Sequence, residues 1–333
     1  MIPVPVNVLR VFHKAYASSP SAVLARFGGG FDDSDGTVYR LGDPADQRLL
    51  KVMHLGGGDA RKALLHLAAR LDFIDYLSRH GVPVIEPLPS RQGNLIESTA
   101  DEGGTWAAYA MRKVGGVTLS PTVWEPEFVR RWGALIGMLH RVTQGYPDWH
   151  HCTDPETGEP YLTWEAEWAY SHPRITDPAV KAQWARIRDA LNALPVCKAC
   201  FGFIHNDPHL WNLRVDGERV TLLDFDVATH HWFANDIAIS CQHVLTHLSG
   251  GLRGRLHHPE RLALFLRTFL EGYWRENDLD RAWLPRLELF FAYRRILSFT
   301  FMGSWYRKRP ERVLAWKRMI LNQPPLLKGL ELG

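Results

Sequence analysis

Residues 204–212 read IHNDPHLWN, and residues 222–226 read LLDFD. Both stretches continue short apolar runs, FGFIH and VTLLDFD, and NLRV lies between them. Runs of this kind, rich in Phe, Ile, Val and Leu and bounded by polar residues, read as strands. Asp216-Gly217, between NLRV and VTLLDFD, predicts the turn that joins two of them. This hairpin accounts for the spacing. Asp207 sits in the loop leaving one strand, Asn212 enters the next, and Asp224 ends the third, so the turn folds Asp224 back beside Asn212. The plain alternative is a hairpin whose turn residues happen to be polar.

Phosphoryl transfer from a nucleotide asks little covalent work of a protein. It needs a carboxylate to orient the acceptor hydroxyl, oxygen ligands for a divalent cation, and a positive charge on the phosphates. His205-x-Asp207-x-x-x-x-Asn212, followed by Asp224-Phe225-Asp226, supplies the first two. Protein kinases carry H-R-D-x-x-x-x-N and then D-F-G for the same purposes. Here the middle residue of the first motif is Asn206, and the second ends in Asp226 in place of glycine. Asp207 is the candidate catalytic carboxylate, and Asn212 and Asp224 are the candidate metal ligands. One neutral and one charged oxygen suit a hard cation that keeps several waters. His205 reads as a residue that hydrogen-bonds the loop and not as a base.

The chain has 333 residues, enough for two lobes, and its 46% hydrophobic content lets both bury a core. A net charge of +3 argues against a general nucleic-acid binder. No apolar run reaches the eighteen residues that suggest a membrane span, and MIPVPVNVLRVFHKAY lacks a signal-peptide pattern. A cytoplasmic location, with no membrane and no nucleic-acid partner, is the expectation; oligomeric state is not legible. Cys197 and Cys200 form a CxxC, which fits redox chemistry, half of a zinc site, or reduced structural thiols. A closed zinc site needs four ligands, and His150-His151-Cys152 is a weak complement, so the thiols are read as structural.

The first third of the chain is strand-rich. AVLARF, GTVYRL and RLLKVM alternate with glycine, aspartate and proline clusters, and NLIEST and WAAYAMRKV form a further pair. Between RLLKVM and this pair, Leu64, Leu67, Leu71, Ile74 and Leu77 recur at helical spacing until Gly81. Residues 127–143, 180–194 and 260–277 carry amphipathic helical patterns. The pattern predicts an α+β chain with a small antiparallel-sheet lobe over 1–114 and a larger, mainly helical lobe over 115–333.

At FIHNDPHLWN and LLDFDVATHHWFANDIA the chain resembles the aminoglycoside phosphotransferase-like family, the small-molecule kinases with a bilobal protein-kinase-like fold. The likeness runs from about residue 20 to 300 and includes bacterial homoserine, choline and spore-coat kinase types. It implies ATP and Mg2+ as cofactors and a small-molecule hydroxyl acceptor, such as an aminoglycoside, choline or homoserine. It further implies that Lys51, in LLKVM, holds the α- and β-phosphates and that the loop beginning Gly28, Gly29 and Gly30 covers them. The strand around Met111 and Arg112 would bind adenine through its backbone, and Asp236 would stabilise the catalytic loop. One departure stands out: Arg70 falls where relatives carry the glutamate that pairs with the lysine.

The acceptor is less legible. Thirteen tryptophans is a high number, and Trp149, Trp164, Trp168 and Trp305 fall where the family shapes its acceptor site. With Glu165 and Glu167 they suggest a cage for an amine; the alternative is that Trp164 and Trp168, four residues apart, are one buried helix face. The basic run from Arg307 to Arg318 reads as a solvated helix face or a contact for an anionic acceptor. Two other functions remain: a Ser/Thr protein kinase of the bacterial stress-response type, against which the absence of an A-P-E segment counts, and a nucleotide-binding pseudokinase scaffold, which Arg70 favours.

Overall fold

The computed structural model describes residues 3–17, 24–29, 36–42, 48–55, 59–119, 125–248, 259–306, 309–322 and 325–327. Two compact units emerge: Met1–Gly116 with Leu223–Asp226, and Val117–Leu222 with Val227–Gly333. The tetrapeptide that carries Asp224 and Asp226 therefore belongs to the N-terminal unit. The sequence expectation of an unbroken second lobe over 115–333 is corrected at this point.

The first unit contains α1 (Val6–Tyr16), β1 (Leu24–Gly29), β2 (Thr37–Leu41), β3 (Arg48–His54), α2 (Ala60–Arg79), β4 (Pro87–Leu88), β5 (Ile96–Asp101) and β6 (Gly104–Arg112). Its sheet is antiparallel, in the order β1-β2-β3-β6. The far side of β6 pairs with β5 along most of its length and with β4 at Ala110 and Met111. Successive residues of a strand point to opposite faces of the sheet. Leu50 and Val52 of β3, with Ala108 and Ala110 of β6, pack on Val8, Phe12 and Tyr16 of α1. The neighbouring positions Lys51 and Tyr109 are cross-strand partners. Asp59 caps the start of α2 by accepting the Lys62 amide at 3.1 Å. At its other end Gly81 adopts φ +80°, and the amides of Gly81 and Val82 return to the carbonyls of Ser78 and Leu77. That left-handed stop is the one its glycine predicts.

The second unit runs α3 (Pro126–Thr143), β7 (Cys152–Thr153), β8 (Pro160–Tyr161), α4 (Trp164–Ser171), α5 (Pro178–Asn192), β9 (Phe201–Ile204), β10 (Leu213–Asp216), β11 (Arg219–Leu222), β12 (Thr229–Trp232), α6 (Phe233–Leu248), α7 (Pro259–Tyr273), α8 (Leu287–Tyr306) and α9 (Pro310–Asn322). Helices α3 and α7 meet at glycines: a Cβ on Gly133 would fall 1.9 Å from the Phe269 oxygen, and one on Gly272 1.9 Å from that of Arg130. Strands β10 and β11 form the expected hairpin, with Asp216 opposite Arg219 and Gly217 at φ +57°. Strand β9 pairs with β12 and leads directly into residues 205–212. Among the described residues no helix is long and apolar enough to cross a membrane.

Candidate functional site

In the first unit, the face of the sheet opposite α1 borders a cavity of about 840 Å³, within the size range of small-ligand sites. Gly28, Leu49, Lys51, Met111 and Asp224 all line it. A Cβ added to Gly28 would meet no atom within 4 Å, so packing does not require glycine there. The missing side chain instead leaves backbone open to the cavity. Gly29 ends β1 opposite Thr37, and Gly30 lies outside the described residues. Arg112 is not among the lining residues; its guanidinium turns to Glu86, Nε donating to Oε2 at 2.5 Å.

Lys51 is buried, and its ammonium pairs with Asp226. The Tyr109 hydroxyl donates to the other carboxylate oxygen at 3.2 Å. The lysine thus has a carboxylate partner, and it comes from the D-x-D motif, not from α2. Arg70 also lines the cavity, and its charge acts on Asp226. Burial disfavours the charged Asp226, but Lys51 through charge and hydrogen bond, then Arg70 and Tyr109, outweigh it and hold its pKa below the ordinary aspartate value. Burial likewise opposes the Lys51 charge, and the nearby carboxylates of Asp226 and Asp224 keep the lysine firmly protonated. Asp224 adopts φ +62° two residues after β11 ends, a left-handed conformation that costs a non-glycine residue energy and collects at functional positions. The expectation that Asp224 itself ends the strand is corrected: the ladder stops at Leu222.

In the second unit, the loop after β9 is held from several sides. Asp236 of α6 accepts the amides of His205 at 3.1 Å and Asn206 at 2.8 Å. His140 of α3 lies 3.2 Å from the same carboxylate through Nε2, while its Nδ1 accepts the Tyr273 hydroxyl at 2.8 Å. Complete burial lowers the His140 pKa, so the ring is neutral and donates from Nε2. The Nδ1 of His205 accepts the Asp207 amide at 3.1 Å, the structural role its position suggests. Asn212 donates to the Asp207 carbonyl at 2.9 Å. The Asp207 carboxylate lies 3.3 Å from His209 Nε2 and 3.5 Å from an Arg294 nitrogen. Burial alone would raise its pKa, but His209, Arg294 and His205 reverse that and bring it down to about 2. So stable an anion is a weak base; it serves better to accept the hydrogen bond of a hydroxyl and aim it.

Asn206 is fully buried with φ +64°, and its amide explains why. Its Nδ2 donates to Glu167 Oε2 at 2.7 Å and to the Val227 carbonyl at 3.1 Å, and its Oδ1 accepts from Asn235 at 2.8 Å. Tyr293 donates to the other Glu167 oxygen at 2.5 Å. Glu167 therefore ties α4, the loop and α8 together. The amine cage drawn from Trp164, Trp168 and Glu167 does not form. Trp164 is buried against Trp232, and Trp168 stacks on Trp184 while donating to its carbonyl, so the two are a packed helix face. The Trp305 side chain, Arg307 and Lys308 lie outside the described residues. Of the basic run, Lys317 pairs with Asp177 at 2.5 Å. Among the described residues no group of three or more His, Cys, Asp or Glu could hold a metal, which leaves the zinc reading without further ligands.

Residues 24–291 match the phosphotransferase enzyme family. The chain belongs to that family. It is a kinase with a hydroxyl acceptor. Amicoumacin kinase of Bacillus subtilis (strain 168) is 24% identical over 341 residues, spanning 98% of this chain and 97% of the relative. An amicoumacin kinase solved with AMP-PNP, Ca2+ and Ami superposes with a TM-score of 0.82 at 24% identity, covering 96% of this chain and 94% of that one. A microcompartment-associated aminopropanol kinase gives 0.68 at 20% identity, over 99% and 100% of the two chains. The fold of these kinases is the fold seen here.

Proposed function

We propose that this kinase is ATP- and Mg2+-dependent and moves the γ-phosphoryl group to a hydroxyl of a small amino-bearing molecule, in the manner of amicoumacin kinase. The observation that carries the reading is Asp207: an ionised carboxylate in a loop fixed by Asp236, His205 and Asn206, with Asn212 bound to its own backbone. In this reading Asp207 aims the acceptor hydroxyl, Lys51 holds phosphate oxygens, and Gly28 and Gly29 leave backbone free to approach them. Asn212 and Asp224 supply oxygens to the metal, whose charge the transferring phosphoryl group requires. Met111, which lines the cavity, contributes backbone to the base; Arg112, the other residue the resemblance implies, lies outside the lining. The length over which amicoumacin kinase matches supports an acceptor of that kind ahead of choline, homoserine or an aminoglycoside.

The protein-kinase alternative has less support, because β12 begins three residues after Asp226 and leaves no chain for a peptide platform. The scaffold alternative rested on Arg70, and Asp226 supplies the carboxylate that Arg70 displaces.

The test is phosphorylation of amicoumacin, 1-amino-2-propanol, choline, homoserine and an aminoglycoside with Mg-ATP, read by mass. Transfer to at least one is expected. Asp207→Asn is expected to lower it by roughly 10²–10⁴-fold while Mg-ATP still raises the melting temperature. Nucleotide binding with no transfer to any acceptor refutes the proposal in favour of the scaffold.

A further inference from the structure

Cys197 and Cys200 stand outside the phosphotransfer machinery. They occupy a tight turn between α5 and β9: the amides of Cys200 and Phe201 both donate to the Cys197 carbonyl at 2.9 Å. This turn brings the two Sγ atoms to 3.1 Å. A disulfide needs about 2 Å between sulfurs, so closing the bond brings them about an ångström nearer. The two thiols are unequal. Cys197 is exposed, while Cys200 is buried with its Sγ 3.4 Å from the Pro195 carbonyl. Burial first, and then the hydrogen bond with Cys197, push the Cys200 thiol up to about 12, while the Arg286 guanidinium opposes the rise. The site is firmly rooted: Trp232 Nε1 also donates to Pro195, at 2.8 Å, and the Phe233 amide donates to the Cys200 carbonyl at 2.9 Å.

We propose that Cys197 and Cys200 are a redox modification site, a dithiol that low-molecular-weight disulfides oxidise to an intramolecular disulfide. Cys197, the accessible thiol, attacks as its thiolate. It forms a mixed disulfide and releases one thiol of the reagent. Cys200 then gives up its proton and attacks the Cys197 sulfur, releasing the second thiol. One small disulfide becomes two thiols, and the protein loses two hydrogens. The buried member thus removes any adduct from the exposed one and leaves a bond that thiol reductants reopen.

The experiment treats the full chain with oxidised glutathione, denatures it, alkylates the remaining thiols and maps them by mass. In the wild type, the peptide holding residues 197–200 is expected two hydrogens lighter and unalkylated, with Cys152 and Cys241 both alkylated; dithiothreitol restores it. Cys200→Ser is expected to accumulate glutathione on Cys197, and Cys197→Ser to react at least ~10-fold more slowly. The proposal is overturned if the wild type keeps both thiols alkylatable, or if it accumulates the same mixed disulfide as Cys200→Ser. The wild-type result stands whether or not either variant folds.

Discussion

Replacing Asp226 by alanine should unsettle the first unit through Lys51, and the size of the effect comes from the geometry. The Lys51 side chain keeps 11% of its surface exposed and that of Asp226 22%. Removing one member of a buried pair typically costs about 3–5 kcal/mol, because the other charge is left without its partner. The pair is not fully enclosed, and Asp224 remains near Lys51, which places this case at the low end, about 3 kcal/mol. Tyr109 also loses an acceptor, a further loss of about 1 kcal/mol. Lys51→Met is milder, about 1–2 kcal/mol, because Asp226 keeps the Tyr109 bond and the Arg70 charge. In the double variant neither charge is stranded, so the combined loss should fall short of the sum by about 2 kcal/mol. Denaturant unfolding of the four proteins, followed by circular dichroism, measures this coupling. Arg70→Glu in the Asp226→Ala background should recover part of the loss by offering Lys51 a carboxylate from α2. Single and double variants additive within about 0.5 kcal/mol would refute the argument that Asp226 is the partner of Lys51.

Glu167→Ala strips Asn206 and Tyr293 of a shared acceptor; a stability loss of about 2 kcal/mol and a fall in kcat larger than any change in the nucleotide KM are expected, from urea unfolding and steady-state kinetics. Gly133→Ala forces a methyl onto the Phe269 carbonyl and should cost about 3 kcal/mol, read by thermal melting, whereas Gly158→Ala, with no atom within 4 Å, is strained only by its φ of +72° and should cost about 1 kcal/mol. Acid should weaken the fold in a defined window. Burial lowers the pKa of His140 and His231, so both are neutral when folded and bind protons more readily once unfolded. Their contribution is complete above the ordinary histidine pKa of about 6.5 and declines as pH falls below it, with His231 the more strongly shifted of the two. Melting curves across that range check it, and a flat profile would contradict the neutral state assigned to both rings.

The framework of the fold was legible because it rests on local signals: strand-like runs, the Asp216-Gly217 turn, helical periodicity and the Gly81 stop. Asp207, Asn212 and Asp224 stand out because their spacing is set within one short loop and hairpin, whereas Lys51 is implied only by the family resemblance. What escaped were partners distant in sequence. Asp226 looked like a substituted glycine, and only the opposition of Lys51 and Tyr109 across two strands shows what it receives. Sequence places Glu167, like Glu165, near tryptophans and so suggests an amine cage beside the helix-face alternative, but it says nothing of Asn206, 39 residues on. The unusual asparagine in His-Asn-Asp was the available signal, since a buried left-handed residue there needs a side chain that both donates and accepts. Arg294, 87 residues beyond Asp207, escapes for the same reason. The boundary of the units was hidden because residues 223–226 return to a sheet built more than a hundred residues earlier.

In many kinases the lysine of the third strand is regulated by swinging a helix, and its glutamate, toward or away from it. Here the anchor sits on the chain immediately after Asp224, separated from it by Phe225, whose ring packs edge-on against Phe73 of α2. A rotation of α2 would not carry the lysine's carboxylate with it. The grip on Lys51 is bound to the placement of Asp224, so the two are lost or kept together.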